Sequence, residues 1–158
     1  MQVYLNVYHI AKLSKYTATV GMGIYHSTIE INNLEYSFGK GDEEGSGIYT
    51  IVAGTSNGLV LCERKLLGIC DKTMYEIECI LVELKKEFFS ENYHLILRNC
   101  NHFAQAFAYS LLKTRVPRYI NRLSDMTHCL TCILPPNIWN RFLDEKRPLL
   151  DNKSSCYS

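Results

Sequence analysis

The chain has little that would tie it to nucleic acid, to a membrane or to an oxidising compartment. Its 17 Lys and Arg against 16 Asp and Glu leave a net charge of +1, without the one-signed field that draws phosphate backbones or acidic lipid surfaces. Lys113, Arg115, Arg118 and Arg122 form a modest basic cluster, but no aromatic stacking platform is interleaved with it, so it reads as a solvated face. No nucleic-acid partner is expected. No apolar run approaches the ~20 residues that a membrane span needs. The start, Met1-Gln2-Val3-Tyr4-Leu5-Asn6-Val7-Tyr8, lacks the basic and apolar regions of a signal peptide. Seven cysteines are an odd number at irregular spacing, which argues against a disulfide framework and for reduced thiols in the cytosol or nucleus. Phosphate loops, EF-hand loops and internal repeats are missing. Cys129-Leu130-Thr131-Cys132 has no second pair to complete a zinc site, so these two read as packed or surface thiols, and no metal or cofactor is expected. Cys156 is an exposed thiol outside any lipidation motif.

What is present is an ordinary apolar fraction, 47% of 158 residues, enough for one domain with a substantial core. The first third alternates as strands do. Val3–His9 is one strand, followed by a polar turn near Lys12–Thr17. Gly21–Ile31 and Leu34–Phe38 flank Asn32-Asn33 as a hairpin. A loop dense in turn residues, Gly39–Gly47, leads to strand candidates Ile48–Ala53 and Leu59–Ile69. Helical periodicity then takes over. Thr73-Met74-Tyr75-Glu76 fits a capping box, and Ile77, Ile80, Leu81, Leu84 and Phe88 follow at helical spacing. Tyr93–Leu97 is a short strand or extended link into a second helix, and Pro117 ends the helical region before a short element at Arg118–Leu123. Cys129–Trp139 is apolar but broken by Pro135-Pro136, and should pack back on the core. The expected organisation is an α+β domain over residues 1–143, then a disordered tail over 144–158.

The chemistry-bearing segment is Asn99-Cys100-Asn101-His102-Phe103. Phe103, Phe107 and Leu111 recur four apart with Ala104, Ala108 and Leu112 beside them, an amphipathic helix with Asn99 as its N-cap. Cys100 then sits in the first turn, beside unpaired N–H groups and the positive end of the helix dipole, where a thiolate is stabilised. The plainer alternative is a small buried hydrophobe, which is what most free cysteines are. A cysteine nucleophile needs a base distant in sequence and adjacent in space. Five histidines compete: His9 ends the first strand, His94 and His128 sit in irregular contexts, and His102 should point away from its near neighbour Cys100. His26 lies in a strand beside Gly21 and Gly23, where backbone or ligand can approach closely. Spacing alone does not decide among them.

Gly23-Ile24-Tyr25-His26-Ser27-Thr28-Ile29-Glu30-Ile31, Glu35-Tyr36-Ser37-Phe38-Gly39, Tyr93-His94-Leu95, Asn99-Cys100-Asn101-His102-Phe103 and Val116-Pro117-Arg118-Tyr119-Ile120-Asn121-Arg122-Leu123 occur in that order. The series resembles the PPPDE superfamily of desumoylating isopeptidases, within it the second branch, over about Val3 to Trp139. The resemblance implies a circularly permuted papain-like cysteine peptidase, a small antiparallel β-sheet or barrel packed against helices, with histidine before cysteine. By motif position His26 matches the catalytic histidine and Cys100 the catalytic cysteine, resting as a thiolate–imidazolium pair. Asn101 is a candidate side-chain donor to the oxyanion. Tyr25, Phe38 and Gly39 are candidate walls of a narrow substrate groove, although Tyr25 and Phe38 read equally as core aromatics. The implied substrates are proteins conjugated to ubiquitin or a ubiquitin-like modifier such as SUMO, and the implied state is a monomer or homodimer. Two other readings fit the same residues: a thioesterase removing palmitoyl groups from protein cysteines, and a non-catalytic modifier-binding module. The chain departs from the resemblance at His9, where an acidic residue is usual, so no third catalytic residue is carried over.

Overall fold

The central strands of the sheet turn an apolar side inward, where the helix that opens at Cys100 packs on it. The structure is a computed structural model that describes residues 1–9, 25–40, 45–55, 59–94 and 97–121. The turn near Lys12–Thr17, Gly21 and Gly23, His128, the Cys129/Cys132 pair, Cys129–Trp139, Cys156 and the 144–158 tail lie outside the described residues.

Five strands, β1 (Gln2–His9), β2 (Tyr25–Ile31), β3 (Leu34–Phe38), β4 (Ile48–Val52) and β5 (Val60–Ile69), form one antiparallel sheet in the order β4-β3-β2-β1-β5. With two α-helices among the described residues, α1 (Met74–Lys85) and α2 (Cys100–Leu112), the architecture is α+β. The β2–β3 hairpin turns on Asn32 and Asn33, both at positive φ (49° and 64°). Asparagine tolerates that left-handed conformation, which matches the twist of the two flanking strands. The register Ile31↔Leu34, Glu30↔Glu35 and Ile29↔Tyr36 follows from the two-residue turn.

Alternation along the strands puts Val3, Leu5 and Val7 of β1, and Ile29 and Ile31 of β2, in the core. There they join Phe103, Ala104, Phe107, Ala108 and Leu111, the apolar stripe of α2. Aromatic rings lock this layer edge to face: Tyr36 on Phe107 at 5.5 Å, and Phe88 on Phe103 at 5.4 Å. Helix α1 opens with the expected capping box between Thr73 and Glu76 and buries Ile77 and Leu84. It ends at Lys85, so Phe88 lies beyond it, still buried in the core.

His94 and Arg98 exchange backbone hydrogen bonds just before Asn99. At its far end α2 stops at Lys113, which takes the left-handed conformation (φ 54°) and returns its N–H to the Tyr109 carbonyl. A single 3₁₀ turn, Arg118–Asn121, follows Pro117. Among the described residues no helix is long and apolar enough to cross a membrane.

Candidate active site

Helix α2 begins where β2 begins, and the junction is made by one side chain. Asn101, in the first turn of α2, donates its amide to the carbonyls of Tyr25 (3.3 Å) and Ile120 (2.8 Å) and accepts the Ser27 hydroxyl at 2.7 Å. It thus ties the helix N-terminus to β2 on one side and to the Arg118–Asn121 turn on the other. This corrects the sequence-based role for Asn101: both amide hydrogens are used inside the fold, so the side chain is a clamp, without a donor to spare for an oxyanion.

The Asn99 side chain caps α2, accepting from the N–H groups of Asn101 (3.0 Å) and His102 (3.3 Å). His102 completes a capping box by accepting the Asn99 N–H at Nδ1, 3.2 Å. The imidazole beside Cys100 in sequence is therefore committed to the helix end, as the expectation that it points away from the thiol requires.

Cys100 is 3% exposed. Its thiol donates to Asn101 Oδ1 at 3.7 Å and shares no hydrogen bond with His26. Burial pushes the thiol up to about 11, while the backbone N–H groups of Ser27, Asn101 and Cys100 itself pull it down. Two of those donors belong to the first turn of the helix. The third comes from β2, from the residue next to His26.

His26 is the neighbour of Ser27 on β2. Its Nε2 lies 3.4 Å from both Ser37 Oγ and Tyr49 Oη, and its ring is tilted against that of Tyr8 at 6.3 Å. Ser37 donates its only hydrogen to the Ser27 carbonyl at 3.1 Å, so toward His26 it accepts. Burial drives His26 down to about 4, and the Glu35 carboxylate opposes this by favouring the charged ring. Burial also raises Tyr49, with smaller upward contributions from Cys100 and Glu35 against the Ser37 hydrogen bond that lowers it. Burial thus favours the neutral thiol and the neutral imidazole in the free site. The expected thiolate–imidazolium pair would need two charges taken out of water.

The groove candidates separate. Tyr25 is half-buried, edge-on to Tyr119 (6.0 Å) and to His9 (6.2 Å) at the mouth of β2. The Tyr119 hydroxyl in turn donates to Glu63 of β5. Phe38 has 0% exposure and packs on Phe88 and Tyr93, so it is a core aromatic and lines no groove. Gly39 is half-buried and bonds through its N–H to the Gly47 carbonyl at 3.0 Å, closing the loop whose residues 41–44 lie outside the described set. A Cβ on Gly47 would fall 2.4 Å from that segment's Gly39 carbonyl oxygen.

Sequence reasoning missed Ser27, Ser37, Tyr49, Tyr8 and Glu35. Their signal lay in the hairpin register, since residues 26, 28 and 30 of β2 share a side with residues 35 and 37 of β3. The described cysteines Cys62, Cys70, Cys79 and Cys100 are free thiols, and no group of three or more metal-ligating side chains occurs among the described residues.

A family model described as "PPPDE putative peptidase domain" matches residues 1–138. The chain is similar to a DeSI-like protein of Arabidopsis thaliana, 34% identical over 136 residues that cover 86% of this chain and 61% of that one. It is similar to a protein named desumoylating isopeptidase 1 homolog from Caenorhabditis elegans, 31% identical over 157 residues, 92% of this chain and 47% of that one. To the DeSI-like protein sdu1 of Schizosaccharomyces pombe it is 34% identical over 129 residues, 78% of this chain and 64% of that one. The chain thus spans from about half to nearly two thirds of the length of these curated relatives.

Proposed function

From its membership of the PPPDE peptidase family, to which this chain belongs, we propose that the protein is a cysteine isopeptidase that removes ubiquitin or a SUMO-like modifier from proteins. Cys100 is the nucleophile and His26 the acid and base. Ser27 carries the reading: its hydroxyl bonds at 2.7 Å to Asn101, the residue after Cys100, while its neighbour His26 presents an imidazole on the same strand. A thiol at a helix N-terminus, ringed by backbone donors and close to a histidine strand, is the arrangement that acyl transfer needs. The relatives named for desumoylating isopeptidase support a modifier conjugate as substrate. Cytosolic or nuclear conjugates are the ones such a reduced thiol would meet.

Because burial favours both neutral forms, the charge is made during the reaction. The thiol proton passes to His26 as sulfur attacks the carbonyl carbon of the modifier's C-terminal residue. The oxygen that becomes negative is met by the Cys100 backbone N–H at the positive end of α2. Collapse breaks the carbon–nitrogen bond, and His26 returns its proton to the departing lysine amine. Water then loses a proton to His26 and attacks the thioester; the carbon–sulfur bond breaks and the thiol regains its proton.

The test is hydrolysis of ubiquitin and SUMO carrying a fluorogenic C-terminal amide. His26→Gln should lower kcat/KM by about 10²–10⁴-fold, the range of a general acid–base contribution, and Cys100→Ala should abolish turnover. Activity retained in Cys100→Ala would remove the nucleophile from this account.

A further inference from the structure

Glu35 has 0% exposure, yet it carries a carboxyl group whose partners are all neutral. Oε1 accepts the Tyr8 hydroxyl at 2.6 Å and the Gly54 N–H at 3.0 Å, and Oε2 accepts the Thr28 hydroxyl at 2.8 Å. None of the ion pairs among the described residues involves it. The nearby buried acid Glu30 is different, since Arg64 holds it in a two-pronged ion pair at 2.9 and 2.7 Å. A charge in a dry interior calls for a counter-charge. Within this network the group able to become positive is His26. It shares β2 with Thr28, and Tyr8 links the two sites by packing its ring on His26 and giving its hydroxyl to Glu35.

We propose that Glu35 is the positioning residue of the His26 base, a buried carboxylate whose unbalanced charge favours the imidazolium formed when His26 takes the Cys100 proton. The inference rests on the isopeptidase reading only for the identity of that proton. The other groups facing His26 among the described residues are Tyr8 from β1, Ser37 from β3 and Tyr49 from β4. Cys100 on α2 is near enough to act on Tyr49. Tyr8, Ser37 and Tyr49 are uncharged at neutral pH, so Glu35 supplies the negative charge. The arrangement does for this chain what an acid at the end of β1 could have done; that place holds His9, which packs on Tyr25 instead.

The experiment is a histidine NMR titration of the full chain, comparing wild type with Glu35→Gln and Glu35→Asp, alongside steady-state turnover of a modifier amide. In Glu35→Gln the His26 midpoint should fall by half a unit or more, and kcat should fall about threefold to tenfold with KM within twofold. Glu35→Asp should restore both toward wild type. An unchanged His26 midpoint in folded Glu35→Gln overturns the proposal. So does a loss of kcat that Glu35→Asp shares in full, because that pattern belongs to packing and not to charge. If wild type turns over no modifier amide, the isopeptidase reading fails while the His26 titration still decides the role of Glu35.

Discussion

The same cause, removal from water, favours the neutral forms of Cys100 and His26, and each has specific donors or charges working against it. The consequences can be measured separately. With its thiol raised to about 11, Cys100 of the free protein should react slowly with iodoacetamide at pH 6, and its rate should climb with pH toward that value. Peptide mass mapping follows Cys100 apart from the exposed Cys62 and Cys79; a plateau already at pH 6 would contradict the neutral resting state. His26 makes a stability prediction with a definite sign. Its folded value, about 4, lies below the ordinary 6.5, so between those values the unfolded chain binds the extra proton. Stability is therefore full above pH 6.5 and is lost as pH falls toward 4, by roughly 3 kcal/mol if the whole difference is expressed. Urea unfolding at pH 7 and pH 4.5 should show a smaller loss in His26→Gln than in wild type.

At the scale of elements, the helix N-terminus and the β2 strand are held together by buried hydrogen bonds, so the site should loosen when they are cut. Asn101→Ala removes the bonds to Tyr25, Ser27 and Ile120. It leaves buried carbonyls unsatisfied, at a cost of about 2–3 kcal/mol in denaturant unfolding. Asn99→Ala, which removes only the cap, should cost about 1 kcal/mol. Equal costs would mean that Asn101 does not clamp the two elements. The hairpin, the Thr73 capping box and the α2 stripe were legible in the sequence because each is a local pattern: two asparagines at a turn, a Thr-x-x-Glu spacing, and a four-residue aromatic repeat. The contents of the site were less legible. Which side of β2 His26 faces, and which polar groups of β3 and β4 join it, depend on register across strands, which no single segment encodes. Phe38 was ambiguous for the same reason, since a strand aromatic looks alike whether it meets solvent, substrate or Phe88. The capping role of His102 was not read from the sequence, although an imidazole at the third helical position can serve as the glutamate of a capping box does.

For the molecule as a whole, the sheet supplies a dry polar face that poises a base, and the covering helix supplies a sulfur among backbone donors. The β2 strand belongs to both. The chain belongs to the family described as PPPDE putative peptidase domain, while the activity and the choice of bond rest on the proposed function. A C-terminally electrophilic probe addresses that choice directly, because it reports the nucleophile and the recognised modifier together. The decisive measurement is intact mass of the protein after mixing with ubiquitin and SUMO probes, for wild type and Cys100→Ala. The account predicts one modifier added to wild type, through Cys100, and none to Cys100→Ala. Folded wild-type protein that gains no mass from either probe, or an adduct that survives in Cys100→Ala, would contradict it.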